Sequence, residues 1–306
     1  MEEFILQTIL KLSEISMFDK IIFDDYLKKI DSQVSELNFT NFFMWRDYYG
    51  IRYSIINEFL CIISSVGDKP YCYFPIGDYS NVENLKIAIY SIRDYFFQHN
   101  WEFVMCRVSA QQISVLEDLD IRFTAKEDRN NFDYIYYVQS LSTLKGKKLD
   151  GKRNHINKFN KLHTFKYEEI SDKNISDCID ILEKWSIQRN YLEDESLIAE
   201  RKANFELLNN YKFLNVKGAL IRVDDKPEAF TVGEMLNSNT VVIHVEKANS
   251  MINGLYTLIN QQFLANHCNG IEFVNREQDL GINGLRKAKL SYNPAILLEK
   301  FTVLLC

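Results

Sequence analysis

Apolar and polar positions fall along this chain in two successive passes of the same order. In the first pass Phe18, Ile21, Ile22, Phe23, Tyr26, Leu27 and Ile30 recur at helical spacing, which predicts a helix over 19–30 with a broad apolar face. Strand-like runs follow over 48–56, 59–66 and 71–75, parted by Asn57-Glu58 and by Gly67-Asp68-Lys69-Pro70. A helix over 81–98, a strand over 102–108, a helix over 110–119 and strands over 121–126 and 132–139 complete the pass. The second pass opens with a Lys-rich helix over about 143–162, a strand over 164–170 and helical segments over 174–190 and 196–210. Strands over 213–223 and 227–236 flank the turn Asp224-Asp225-Lys226-Pro227, and a third runs over 239–246. A helix over 254–267, a strand over 270–275, a helix over 282–290 and a strand over 295–304 close the chain. A meander leading into alternating helices and strands, twice over, predicts a mixed α/β protein of two tandem domains, 1–139 and 140–306, with the probable site in the second.

Composition narrows the class. With 306 residues, 46% hydrophobic and 25% charged, the chain is long enough for two packed cores, and disorder is excluded. A net charge of −6 argues against a general nucleic-acid binder, although a local basic surface on an acidic body stays open. Six dispersed cysteines without a Cys-x-x-Cys pair suggest neither a zinc site nor a redox motif. Met1-Glu2-Glu3 lacks the basic start of a signal peptide, and the longest apolar run, 59–66, is too short to span a bilayer. A cytoplasmic protein of a reducing compartment is expected, with no transmembrane segment.

Three stretches carry candidate chemistry. The run from Asn275 to Tyr292 places Asn275, Arg276, Glu277, Asp279, Arg286 and Lys289 around a strand-to-helix corner, where backbone N–H groups and cations converge on an anionic or carbonyl-bearing ligand. An ordinary ion-pair network fastening a loop is the alternative. The run 145–159 is the most basic part of the chain. On a helix Lys145, Lys148, Lys152 and His155 stack on one side, and Lys152, Arg153 and His155 are candidate phosphate ligands beside Arg276. A solvated helix face explains that run equally well.

In the third stretch Thr240, His244 and Glu246 share one strand face by two-residue alternation, and Glu234 on the neighbouring strand faces the same side. Glu246 or His244 is the expected general base, the structural alternative being a satisfied core pair. Asn249 lies in the loop 248–254 that leads into the next helix. An acyl-CoA enzyme needs glycines there for the backbone to approach a pyrophosphate, yet Gly254 stands alone, and Gly77-Asp78-Tyr79-Ser80-Asn81 in the first half is no better.

The strings Phe39-Thr40-Asn41-Phe42-Phe43-Met44-Trp45-Arg46, Gly151 to Phe159, Glu246-Lys247-Ala248-Asn249, Asn275 to Gly281 and Leu285 to Lys289 resemble a bacterial family of uncharacterised proteins related to the C-terminal catalytic domain of phosphatidylglycerol lysyltransferases. The resemblance implies tandem GNAT-like domains, akin to Fem-type transferases that move an aminoacyl group from aminoacyl-tRNA to an amine or hydroxyl acceptor. It implies aminoacyl-tRNA or acyl-CoA as donor, a small molecule or lipid headgroup as acceptor, and a location peripheral to the membrane if that acceptor is a lipid. Two further readings remain: a non-catalytic binding module, since folds are reused without their chemistry, and a CoA-dependent N-acetyltransferase.

Overall fold

The computed structural model describes residues 10–305. In chain order the strands are β1 (Ser13–Glu14), β2 (Arg52–Ile56), β3 (Phe59–Val66), β4 (Lys69–Cys72), β5 (Val104–Ser109), β6 (Phe123–Glu127), β7 (Asp133–Tyr137), β8 (Phe165–Glu169), β9 (Lys217–Val223), β10 (Lys226–Met235), β11 (Thr240–Ala248), β12 (Phe273–Asn275), β13 (Ile296–Leu298) and β14 (Lys300–Leu305). The helices are α1 (Lys20–Leu27), α2 (Phe39–Trp45), α3 (Val82–Gln98), α4 (Ala110–Asp118), α5 (Val138–Thr143), α6 (Asp150–Leu162), α7 (Ile175–Gln188), α8 (Glu195–Asn209), α9 (Tyr211–Leu214), α10 (Leu255–His267) and α11 (Asn283–Leu290).

They make two mixed α/β units. Of the described residues, the first holds 10–132 together with the last strand, and the second holds Asp133–Leu298. In the first unit the sheet order is β1-β2-β3-β4-β5-β14-β6. Leu85, Ala88, Ile89, Ile92 and Phe96 recur at helical spacing along α3 and are fully buried, and Asn81 caps that helix by accepting from the Asn84 amide. In the second unit the order is β13-β7-β12-β11-β10-β9-β8. There Leu255, Leu258, Ile259, Phe263 and Leu264 of α10 share a core with β7, β9, β11, α5 and α6. Gly254 starts α10 at φ +91°, and a Cβ there would lie 2.7 Å from the His155 carbonyl oxygen, so only glycine lets α10 start against α6.

The boundary differs from the expectation of 139/140. β7 leaves the first half to pair with β12 and β13 in the second sheet. The expected strand over 295–304 is two strands in two sheets, because β14 pairs with β5 and β6 of the first unit. Lys300, which opens β14, is wholly buried and ion-paired with Glu36, which fixes that crossing. The Lys-rich helix is also shorter than expected. Leu144 at φ +51° ends α5 in a left-handed turn, and α6 starts only at Asp150 after a 3-10 turn at Lys147–Leu149.

Candidate active site

The parallel strands β11 and β12 pair over three residues only, Thr240 with Phe273, Val241 with Val274 and Val242 with Asn275. Beyond Val242 the side of β11 that faced β12 has no ladder partner. A β-bulge falls at the same point: Gly233 of β10 opposes Ile243 and Val232 opposes Val245, so His244 is left over. A Cβ on Gly233 would lie 2.4 Å from the Val242 carbonyl oxygen, so glycine is needed where the strands draw together.

The bulge reverses the side-chain alternation. Ile243 and Ala248, five residues apart, both belong to the core beneath α10, which an unbroken strand forbids. Glu246 accordingly reaches Asn260 of α10 at 3.1 Å, while Lys247 lies 3.4 Å over the ring of Trp185 on α7. His244 and Glu246 therefore do not share a face, contrary to the alternation read from sequence.

Two ion pairs cross the gap where the ladder ends. Arg276 Nη2 donates to Glu246 Oε1 at 2.8 Å, and His244 Nδ1 stands 3.7 Å from Glu277 while its Nε2 is 2.9 Å from Glu234. The His244 side chain is fully buried. Burial pushes its pKa down, but the hydrogen bond to Glu234 and the charges of Glu234 and Glu277 outweigh that and raise it to about 9. That direction favours the imidazolium, which has no free lone pair with which to take a proton. Glu277 is 26% exposed at the side chain, and burial raises its pKa against the opposing pull of His244. Its backbone is left-handed at φ +57°, held by its amide donating to Asn275 Oδ1 at 2.7 Å.

On the α10 side cations collect around tyrosine. Lys152 Nζ lies 3.8 Å from the centre of the Tyr292 ring, and the Arg276 guanidinium lies 4.9 Å from the same centre. Burial and then the charge of Arg276 lower the pKa of Lys152, and among the described residues no carboxylate pairs with it. Arg276 Nη1 is buried without an acceptor. Lys289 bonds the carbonyls of Arg276 and Glu277, and burial, then Arg276, lowers its pKa to about 8. Two cations on one ring, one of them with a guanidinium nitrogen that has no acceptor, concentrate positive charge on this side.

The other expected ligands serve the frame. Arg153 bonds the carbonyls of Leu144 and Gly146 and pairs with Asp150, so it caps the turn before α6 and does not join Lys152 and Arg276. His155 bonds Asn253 at 2.9 Å, and Asn249 bonds Glu228 at 2.9 Å. Asn275 is fully buried on Asp133. Asp279 is fully buried too, accepting two bonds from Arg286 at 2.8 and 2.7 Å and one from Tyr134 at 2.6 Å. Burial would raise its pKa, but Arg286 and Tyr134 hold the carboxyl well below the usual carboxylate range. That part of the corner is the closed ion-pair network that the polar run also allowed. Sequence reasoning assigned no role to Tyr292, Trp185 and Lys247. Tyr292 lay inside the quoted run, but nothing in a linear pattern marks one ring as the floor beneath two distant cations.

A family model described as phosphatidylglycerol lysyltransferase, C-terminal, matches residues 27–304. A protein of unknown function from Bacteroides thetaiotaomicron superposes with a TM-score of 0.89 at 34% identity, covering 97% of this chain and 100% of that one. L-PGS from Bacillus licheniformis superposes at 0.63 with 15% identity over 94% and 91% of the two chains. A tandem GNAT protein from the clavulanic acid biosynthesis pathway does so at 0.50 with 6% identity over 97% and 98%, and both units here are GNAT-like. An uncharacterised protein of Mycoplasmoides gallisepticum is 29% identical over 178 residues, 56% of this chain and 55% of that protein, so the match spans about half the length of that curated relative. Among the described residues no helix is long and apolar enough to cross a membrane.

Proposed function

We propose, since the chain belongs to the family of the phosphatidylglycerol lysyltransferase C-terminal domain, that its second unit transfers an aminoacyl group from aminoacyl-tRNA to an amine or hydroxyl acceptor, a lipid headgroup among them. The observation that carries this reading is the gap beyond Val242 and Asn275, with Glu234 and Glu277 around His244 on one face and, on the other, Lys152 and the Glu246-bound Arg276 over Tyr292. An aminoacyl ester on a polynucleotide has that polarity, an ammonium beside the reacting carbonyl and phosphates behind it. Glu277 and Glu234 face the ammonium side, and Lys152 and Arg276 the phosphates. The unpaired edge of β11 offers backbone groups to the carbonyl between them.

The loop after β11 speaks against acyl-CoA. The amides of Asn249, Met251, Ile252 and Leu255 are bonded to Glu228 O, Asn249 Oδ1, Asn249 O and Ile252 O, so few remain to cradle a pyrophosphate. Glu277 takes the acceptor's proton in this reading, because it is partly exposed at the gap and burial raises its pKa above the ordinary carboxylate value, which makes it the stronger base. Both oxygens of Glu246 are engaged, by Arg276 and Asn260, and it positions Arg276. Incubating the protein with a panel of labelled aminoacyl-tRNAs, acyl-CoAs and amine or lipid acceptors tests the reading. Transfer from a charged tRNA supports it, transfer from acyl-CoA replaces it with acetyltransferase chemistry, and binding of a donor without turnover leaves a binding module.

A further inference from the structure

We propose that α11 and the turn before it, together with the lysines preceding α6, form a surface that docks on an anionic lipid bilayer. A surface helix ordinarily turns apolar residues to the core and polar ones to water. α11 is the reverse. None of its residues is buried, and its Arg286 and Lys289 reach inward to Asp279 and to the carbonyls of Arg276 and Glu277. In the turn before it Leu280 and Ile282 are 60% and 56% exposed, and Leu285 and Leu290, 37% and 43% exposed, flank the inward cations at i,i+4 spacing. Leu280 also has a left-handed backbone, φ +52°, which a residue with a Cβ seldom adopts. A strained backbone thus presents a leucine to solvent, where neither core packing nor helix capping accounts for it.

Charge identifies the partner. Asn293, just past α11, donates to the Lys148 carbonyl at 3.4 Å, so the helix lies beside the turn that precedes α6. Lys145, Lys147, Lys148 and Lys287 are exposed there, and among the described residues none of them is in an ion pair. The chain as a whole has a net charge of −6, so this concentration of uncompensated cations beside projecting leucines is local. Leucines entering the acyl boundary while ammonium groups meet lipid phosphates is the arrangement that a charged membrane interface accepts. A second copy of the chain would bring the same lysines against each other in a two-fold contact. The inference is independent of the transfer reading, because docking is measured without any substrate.

The test is co-sedimentation of the full chain with phosphatidylcholine vesicles, with and without phosphatidylglycerol, and with its oligomeric state followed by light scattering. The protein should pellet with the anionic vesicles only, and added salt should weaken the binding. Two variants, Leu280→Ser with Ile282→Ser and Leu285→Ser, and separately Lys147→Glu with Lys148→Glu, should each weaken it about tenfold or more, with unchanged circular dichroism. The lysine variant changes exposed side chains only and keeps the test decisive should the serine variant misfold. Wild type remaining in the supernatant, equal binding to both vesicle types, or either folded variant binding as wild type overturns the proposal. A dimer that the serine variant dissolves, with no vesicle binding, assigns the surface to self-association instead.

Discussion

Arg276 Nη2 reaches Glu246 Oε1 at 2.8 Å across the place where β11 and β12 cease to pair, and with His244–Glu277 it spans the opening in the second sheet. Each of the two pairs joins the strand β11 to the turn after β12. The opening is therefore bounded by charged groups on both faces.

Glu246→Ala leaves the Arg276 guanidinium in a site where its side chain is 14% exposed, and should cost about 3–5 kcal/mol in urea unfolding. Glu246→Gln keeps one hydrogen bond and should cost about 1–3 kcal/mol. Equal stability of all three proteins means the pair does not hold the opening.

Lys152 is partly desolvated over Tyr292 and has no carboxylate partner, so its charge is of use to a ligand and a cost to the fold. Lys152→Met should leave stability unchanged or slightly raised. It should weaken tRNA binding and lower the slope of log affinity against log salt by about one. An unchanged slope removes Lys152 from the anion site.

His244 has a folded pKa near 9 against an ordinary 6.5. The stability it contributes is present below about pH 6.5 and is lost as pH rises through about 9, a change of order 3 kcal/mol. Lys289, lowered to about 8, acts in the opposite sense over pH 8 to 10.5, so the effect is read as a difference between proteins. Urea unfolding of wild type and His244→Gln should show the variant least stable, relative to wild type, at pH 6, with the gap narrowing by pH 9.5. A gap that does not depend on pH contradicts an imidazolium at this position.

Much of the second unit was legible because its central strands are continuous apolar runs and its turns carry Asp-Asp and Gly. The seam was not, since the apolar run 132–139 gives a strand without saying which sheet takes it, and Lys300 finds Glu36 only in three dimensions. The bulge at His244 was invisible because nothing local announces it; its cause is Gly233 on the neighbouring strand, where the backbone comes too near for a Cβ. The run 275–289 does form a strand-to-helix corner, but which of its members are tied into the frame depends on partners far off in sequence: Tyr134 for Asp279, Asp133 for Asn275, and Lys152 beside Arg276 over Tyr292.

Gly233→Ala should destabilise the protein by about 2–4 kcal/mol and shift the bulge, because its Cβ would meet the Val242 carbonyl at 2.4 Å. Thermal unfolding measures the loss, and a melting temperature equal to wild type contradicts the close approach.

The most direct measurement is turnover of a charged tRNA by wild type, Glu277→Gln and Glu246→Gln, each with donor affinity determined in parallel. With Glu277 as base, Glu277→Gln should lose about 100-fold or more in turnover and bind the donor within about twofold of wild type, while Glu246→Gln should chiefly weaken binding. Undiminished turnover by Glu277→Gln, or loss of turnover in Glu246→Gln alone with binding intact, contradicts that assignment.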